Sequence, residues 1–453
     1  MPLVGPLPDM HNVMGTLEGV ERVFSVARVP EIQPLIQRAN DKYLYWDDIK
    51  YRMPPGVNLK AEEVWAYIKF GRDVSRKPAP FTDKNGKPLT YLIPDSLHRA
   101  ISTVDIWSGG LITTDQPVGM PARERYIISS LMDEAIASSQ LEGASTEYRI
   151  AKEMLRSGRK ATSKHEQMIL NNWHAMQYIR KHRNEALSLE NMLELHSILT
   201  QNTLDHPEEA GKFRTRDDIV VKYMGEVVHE PTLSKFIPDR IKALCEFTNR
   251  DDEEKWIHPV VKGAMIHFWF AYDHPFTDGN GRTARALMYW YLLHRGYVLF
   301  EYLSISKHFL RAPGQYVRAY LYTETDNNDL TYFLVYNLRA IRFALQDVRK
   351  YIENKQKEVA HANGLLRSFR GLNSRQKSLI YHAIQHPDNP YTIEAHRNTH
   401  GIGYETARRD MLELVAKGFL KQEREGKRLY VFIPSEKMME KLRSGRVAAG
   451  NDK

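Results

Sequence analysis

Twelve consecutive residues, running His274-Pro275-Phe276-Thr277-Asp278-Gly279-Asn280-Gly281-Arg282-Thr283-Ala284-Arg285, bring together a titratable base, a hard-metal ligand, a glycine turn and two arginines. His274 carries the side chain whose ordinary pKa lies near neutrality, which suits a general base taking the proton of a hydroxyl. Asp278 offers a hard oxygen of the kind Mg²⁺ takes together with waters and substrate phosphates. In the Gly279-Asn280-Gly281 turn the glycines reach positive φ, so successive N–H groups can converge on one anion. The apolar spacing of Leu287, Tyr291 and Leu292 predicts a helix that follows the turn and brings the positive end of its dipole to the same spot. Arg282 and Arg285, three apart, are expected on one face of that helix with both guanidinium forks aimed at phosphate oxygens. The chemistry these residues could do is phosphate handling.

Two further segments must help to position such a site. Upstream, Ile127, Ile128, Leu131, Met132, Ala135 and Ile136 have the spacing of an amphipathic helix, and Gly143 sits where a helix would stop. Ser138 and Glu142 fall at the end of that helix. Nearer the motif, after Gly211-Lys212-Phe213-Arg214-Thr215-Arg216, the stretch Ile219 to His229 reads as two β-branched runs around a glycine-containing turn, a hairpin in an otherwise helical neighbourhood. A lone hairpin is marginally stable, so it must lean on helices or on a partner.

The His274–Arg285 stretch resembles the signature of the Fic family, His-Pro-Phe-x-Asp/Glu-Gly-Asn-Gly-Arg-x-x-Arg, at every fixed position. The resemblance implies a mainly α protein, a Fic helical core with a β-hairpin flap. It also implies transfer of AMP from ATP to a hydroxyl of a protein target. On that reading His274 is the catalytic base, Asp278 the ligand of Mg²⁺ (Mn²⁺ as the alternative), and Gly279, Asn280, Gly281, Arg282, Thr283 and Arg285 bind the nucleotide. Relatives that phosphorylate depart from the Gly-Asn-Gly turn, which this chain keeps. The family's inhibitory pattern Ser/Thr-x-x-x-Glu-Gly/Asn is met by Ser138, Glu142 and Gly143, which implies that Glu142 pairs with Arg285 and takes the donor the γ-phosphate needs. Two alternatives stay open: an AMP-removing hydrolase that uses Glu142, and a regulator whose Fic core only senses ATP. The flap, residues 219–229, is expected to bind the target by strand addition. Val221, Lys222, Tyr223 and Tyr316 are expected near the nucleotide. Asp273 stands where the family usually carries an apolar residue; it is expected either to raise the pKa of His274 or to face solvent.

The remainder of the chain divides by punctuation. Residues 1–110 read as an N-terminal helical extension with an aromatic cluster at Tyr43, Tyr45 and Trp46, and 111–160 as the inhibitory helix region. Residues 161–362 read as the catalytic core, closed by a long helix with an apolar stripe from Leu330 to Ile352 that seals a core, joins domains or makes a homodimer. Residues 370–435 resemble a winged helix-turn-helix, with Thr406, Arg408 and Arg409 on the helix that would enter a DNA groove or dock a protein. Residues 436–453 form a basic tail. Residues 374–453 carry 15 Lys and Arg against 10 Asp and Glu, five of the chain's net +8, a weak electrostatic case for DNA. With 453 residues, 42% hydrophobic and 26% charged, the chain is ordinary globular protein with room for two or three domains. A single cysteine, Cys245, excludes an intrachain disulfide. No 18-residue apolar run and no leader pattern appear, so the expectation is a cytoplasmic protein without a membrane partner, acting on ATP, a target protein and, as a second target, itself.

Overall fold

The computed structural model describes residues 3–110, 120–251, 253–367, 371–386, 389–425, 429–436, 438 and 440. Residues 111–119 of the expected inhibitory region, the Gly426-Lys427 turn and most of the 436–453 tail lie outside the described residues. The chain forms two compact units, Met1–Val348 and Arg349–Lys453, and the division falls inside one long helix, Thr331–Arg367.

Two helices make the centre of the first unit. Pro259–Asp273 starts with proline at its first turn, where the missing N–H costs nothing, and the His258 side chain accepts from Val260 N. Asn280–His294 follows after a short loop. Both are buried almost all round, the pattern of core rather than surface helices. They approach closely because Gly263 has no side chain: a Cβ there would stand 3.1 Å from Leu292 Cγ. Around this pair pack Lys164–His182, capped by Ser163, and Leu189–Thr200, which opens with a Ser188/Asn191 capping box. Ile237–Asn249 and Met120–Leu141 complete the layer.

The N-terminal residues are tied to the same unit. Tyr43, Tyr45, Trp46 and Trp65 form a core that includes Tyr332 of the long helix. Within it the Arg72 guanidinium donates to the Ala39 and Leu44 carbonyls at 2.8 and 3.0 Å and lies 4.0 Å over the Tyr43 ring. The sequence shows only a turn at Lys84–Lys87; the structure has a hairpin, Lys77–Thr82 paired antiparallel with Pro88–Tyr91. Its strand signal is masked by Pro78, Pro80 and Pro88, which are tolerated because a two-stranded sheet has only edge strands.

The second unit has three helices, Ser374–Gln385, Ile393–His400 and Tyr404–Ala416, then an antiparallel hairpin of Leu420–Glu425 with Leu429–Pro434. Ile380, Met411, Leu414, Phe419 and Phe432 fill its core. One buried carboxylate ties the helices: Asp410 accepts from Asn373 Nδ2 at 2.7 Å, from Arg375 Nε at 2.7 Å, and pairs with His396 Nε2 at 3.2 Å. Burial pushes Asp410 up, but the bonds from Arg375, Asn373 and His396 outweigh it and hold the carboxyl below its ordinary range. The stability this contributes is present above the ordinary carboxylate pKa of about 4 and is lost as pH falls through the lower folded value. Asp410→Ala is therefore expected to destabilise this unit by about 3 kcal/mol in urea unfolding of the full chain, and to remove part of its stability loss below pH ~4.

Candidate active site

His274 ends the Pro259–Asp273 helix in the left-handed region, φ 49°, a conformation that a non-glycine residue holds only when its surroundings enforce it. Several contacts enforce it. The His274 N–H closes the helix on Phe270 O at 3.1 Å, and Arg214 Nε donates to His274 O at 2.9 Å. Beyond it, Asn280 folds back on Phe276, accepting from its N–H and donating to its carbonyl at 2.9 and 2.8 Å. The Phe276 ring stacks on His196, 3.6 Å between centroids, and Thr277 donates to Glu209. His196 Nδ1 accepts from Gly211 N, so Nε2 carries the proton and donates to Asp278 O at 2.9 Å.

The His274 imidazole is left half-buried. Nδ1–H points at Ala271 O, 3.3 Å away, which leaves the Nε2 lone pair free. Burial, and after it the charge of His229, push the ring's pKa down to about 4. At neutral pH it is thus a neutral acceptor, as a base must be.

Asp273 departs from both sequence expectations. It is fully buried, and the pKa of His274 falls rather than rises. It accepts from Arg240 Nε at 2.6 Å, Thr232 Oγ1 at 2.9 Å and Trp269 Nε1 at 2.9 Å. Arg240 also donates to Thr82 O at 2.7 Å, joining the N-terminal hairpin to the end of the helix that carries His274. Asp273, the last helical residue, points into this anchor, while His274 has left the helical conformation and its ring lines the cleft.

The glycine turn also differs in form. Only Gly279 has positive φ, 82°; Asn280 and Gly281 are already the first residues of the helix. The free N–H groups there are those of a helix start, aided by its dipole. Arg282 and Arg285 share the helix but engage different partners. Arg282 is buried and donates to Leu199 O at 2.9 Å, with Asp278 3.5 Å away. Thr283 Oγ1 donates to Gly279 O. Arg285 turns to the end of the Met120–Leu141 helix, where Nε donates to Ser138 Oγ and Nη2 to both Ser138 O and Glu142 Oε1, each at 2.9 Å. Gly143, φ 90°, ends that turn. The Glu134 carboxylate on the same helix is buried against Tyr289 and Ser306, docking the helix to the core.

These residues meet at a cleft of about 210 Å³ lined by Glu142, His274, Gly281, Arg285 and Tyr316 and roofed by the hairpin of Val221–Tyr223 with Glu226–His229. Met224 and Gly225, both at positive φ, make the two-residue turn that suits paired strands. Val221, Lys222 and Tyr223 lie on the cleft wall; Tyr316 stacks on Phe309 and its hydroxyl is 2.7 Å from His267 Nε2. A larger cavity of about 600 Å³ beside Lys262 and Trp256 holds none of the twelve motif residues. In the second unit, Thr406, Arg408 and Arg409 share the Tyr404–Ala416 helix with Glu405 and Glu413, a face of mixed charge.

Two features bear on ligands. Arg285 Nη1 is buried without a hydrogen-bond partner beside Gly281, an orphan donor that an anion in the cleft would satisfy. Among the described residues no group of three or more His, Cys, Asp or Glu could hold a metal alone. Asp278 is half exposed and by itself is one hard ligand, the situation of Mg²⁺ that completes its shell with phosphates and water. Sequence reasoning did not single out His196, Arg240, Glu134 or His229. The one local sign was a histidine on the apolar stripe of Met192, Leu195 and Leu199, where a buried ring must find partners.

Residues 186–292 match the Fic/DOC family model. The chain is 28% identical over 148 residues to a protein adenylyltransferase Fic of Nematostella vectensis, a match covering 30% of this chain and 33% of that protein. It is 29% identical over 208 residues to one of Culex quinquefasciatus, covering 45% and 38%. The matches thus span about a third of the length of these curated relatives. A crystal structure of a Fic family protein from Desulfovibrio desulfuricans G20 superposes with TM-score 0.51 at 18% identity, over 74% of this chain and 96% of that one. The shared fold is therefore that of Fic proteins.

A Cβ on Gly279 would stand 2.8 Å from Thr200 Cγ2 and 3.2 Å from His196 Nε2, at a φ that L residues avoid. Gly279→Ala is expected to destabilise the first unit by about 2 kcal/mol in urea unfolding and to alter the histidine resonances of His196 and His274.

Proposed function

On a chain that carries a Fic domain at residues 186–292, we propose the activity of an adenylyltransferase: AMP passes from ATP to a Ser, Thr or Tyr hydroxyl of a protein target or of the chain itself, and Glu142 restrains the reaction. The observation that carries this reading is Arg285, whose buried guanidinium holds Glu142 at 2.9 Å while one of its nitrogens has no partner. A terminal phosphate would compete with Glu142 for that charge.

In the transfer, His274 Nε2 accepts the hydroxyl proton as the hydroxyl oxygen bonds to the α-phosphorus. The bond from that phosphorus to the β-phosphate oxygen breaks, and pyrophosphate leaves with the electron pair. The N–H groups opening the Asn280 helix, with Arg285, face the charge on the phosphates, while Arg282 braces the helix start on Leu199 O; the work is positioning and electrostatic stabilisation. A divalent ion held by Asp278 would supply further neutralisation of the phosphates when bound. Glu142 is about 29% exposed, so it can leave Arg285 for water, whereas Ser138 holds the guanidinium through its own backbone carbonyl as well as its hydroxyl. The restraint is thus exchangeable and the arginine's position is not.

Incubation with ATP and Mg²⁺ followed by intact-mass analysis tests the reading. Glu142→Gly is expected to gain AMP about tenfold or more faster than wild type. Adding His274→Ala to that variant should lower the rate about a hundredfold or more. No AMP on any variant or on any extract protein, with ATP still bound, would overturn it. With the His274 pKa near 4, the acid limb of the rate profile of Glu142→Gly is expected nearer pH 4 than the ordinary histidine value of ~6.5.

A further inference from the structure

We propose that His229, clasped between the Glu324 carboxylate and the Tyr272 carbonyl, is a positioning residue that latches the flap over the cleft. The inference rests on the cleft being the site of AMP transfer and adds a residue that the signature does not contain.

The flap cannot hold itself. Its strands are three and four residues long, with one break in register between Val221 and Lys222, and a two-stranded hairpin is marginally stable in water. Met224 and Val227 at its tip are exposed, so the tip adds little packing. The Lys84–Glu230 pair just beyond the second strand is solvent-exposed and contributes little. His229, at the strand's last position, is the exception. Its side chain is about 8% exposed and packs on the Tyr272 ring at 4.7 Å. Nδ1 lies 2.9 Å from Glu324 Oε2 and Nε2 lies 2.7 Å from Tyr272 O.

Both partners are acceptors. A backbone carbonyl cannot donate, so Nε2 must carry hydrogen; the Nδ1 contact with a carboxylate oxygen then needs a second proton between the two groups. A hydrogen held between Nδ1 and Oε2 joins the ring to Glu324, while Nε2–H caps a carbonyl of the last turn of the Pro259–Asp273 helix. One side chain therefore joins three elements: the flap, the helix that delivers His274, and the Pro313–Thr325 helix that carries Glu324 and Tyr316. Other charged or titratable groups around it are His274, Asp273 and the Tyr272 hydroxyl on the helix end, Arg214 before the flap, and Asp83, Lys84 and Glu230 on the N-terminal hairpin and the flap exit. The charge of His229 also reaches His274 and helps to keep that ring neutral.

Loss of the proton would set a lone pair against the Glu324 carboxylate and open the latch. The flap would then present its target-binding edge in no fixed register to His274, whereas contacts to the phosphates, made by other elements, would stay.

The test uses the full-length Glu142→Gly protein and two further substitutions in it, His229→Gln and Glu324→Gln. Histidine ¹⁵N spectra, read without turnover, are expected to show both His229 nitrogens in hydrogen bonds when Glu324 is present, and only Nε2 so engaged in Glu324→Gln. Hydrogen exchange of residues 221–229 should quicken in both variants. Self-modification should fall by about ten- to hundredfold, a loss larger than the accompanying rise in the KM for ATP, to which Val221, Lys222 and Tyr223 of the flap contribute. His229→Gln should also move the acid limb of the rate profile to higher pH, since His274 loses a cationic neighbour; a merely structural residue would not shift it. The double variant should add nothing to either single one. A His229 ring with no hydrogen bond at Nδ1, or unchanged exchange at 221–229 in both variants, would overturn the latch. Absence of AMP transfer from the Glu142→Gly parent would instead overturn the function, while the spectra and the exchange would still decide the latch.

Discussion

A guanidinium buried at the heart of the first unit needs a counter-charge, and the arrangement around Arg285 follows from that need. Its side chain is almost wholly enclosed, and an unpaired charge there would be expensive. Ser138 supplies neutral acceptors and Glu142 the charge, so the Met120–Leu141 helix is held where its last turn closes on the cleft. Burial drives the arginine pKa down, but Glu142 outweighs it and the guanidinium keeps its proton firmly. On the proposed function a phosphate would take the place of the carboxylate, and occupancy of the cleft would then be linked to the position of one carboxylate at a helix end.

The second constraint is backbone geometry. The chain must turn from one core helix to the next between His274 and Gly279 while showing an imidazole to solvent. It does so with a left-handed histidine at one end and a left-handed glycine at the other. Asp273 and Asn280 hold the two ends from within, His196 supports the middle, and Arg214 ties the histidine carbonyl to the segment leading into the flap. The conformational strain at His274 is balanced by buried hydrogen bonds that have no alternative partners.

The N-terminal residues enter the same network. Arg240 bridges Thr82 and Asp273, and Lys84 N donates to the Tyr272 hydroxyl, so the extension touches the end of the helix that carries His274. Its aromatic core with Tyr332 makes it part of the unit by packing as well. That gives residues with no chemistry of their own a mechanical connection to the site.

The sequence by itself marked a candidate phosphate site: the residue types packed within twelve positions carried it, because spacing along a helix or turn is a local property. The pairing of Glu142 with Arg285, 143 residues apart, was implied only by the resemblance to the Fic family, and the contact itself is made by the fold. Helix periods and turn residues likewise located the flap, the long helix and the three helices and hairpin of residues 374–434. What only the tertiary structure decided lies between segments far apart in the chain. Asp273 reads as an acidic neighbour of His274, yet the end of the helix directs it into Arg240, 33 residues earlier. Arg282 and Arg285 read as a pair, yet packing sends one to Leu199 and the other to Ser138. The hydrogen bond at His229 Nδ1 depends on Glu324, 95 residues on, and the strands at Lys77 and Pro88 were hidden by prolines that only an edge tolerates. Burial and partner choice are set by which surfaces meet, and no window of sequence contains both.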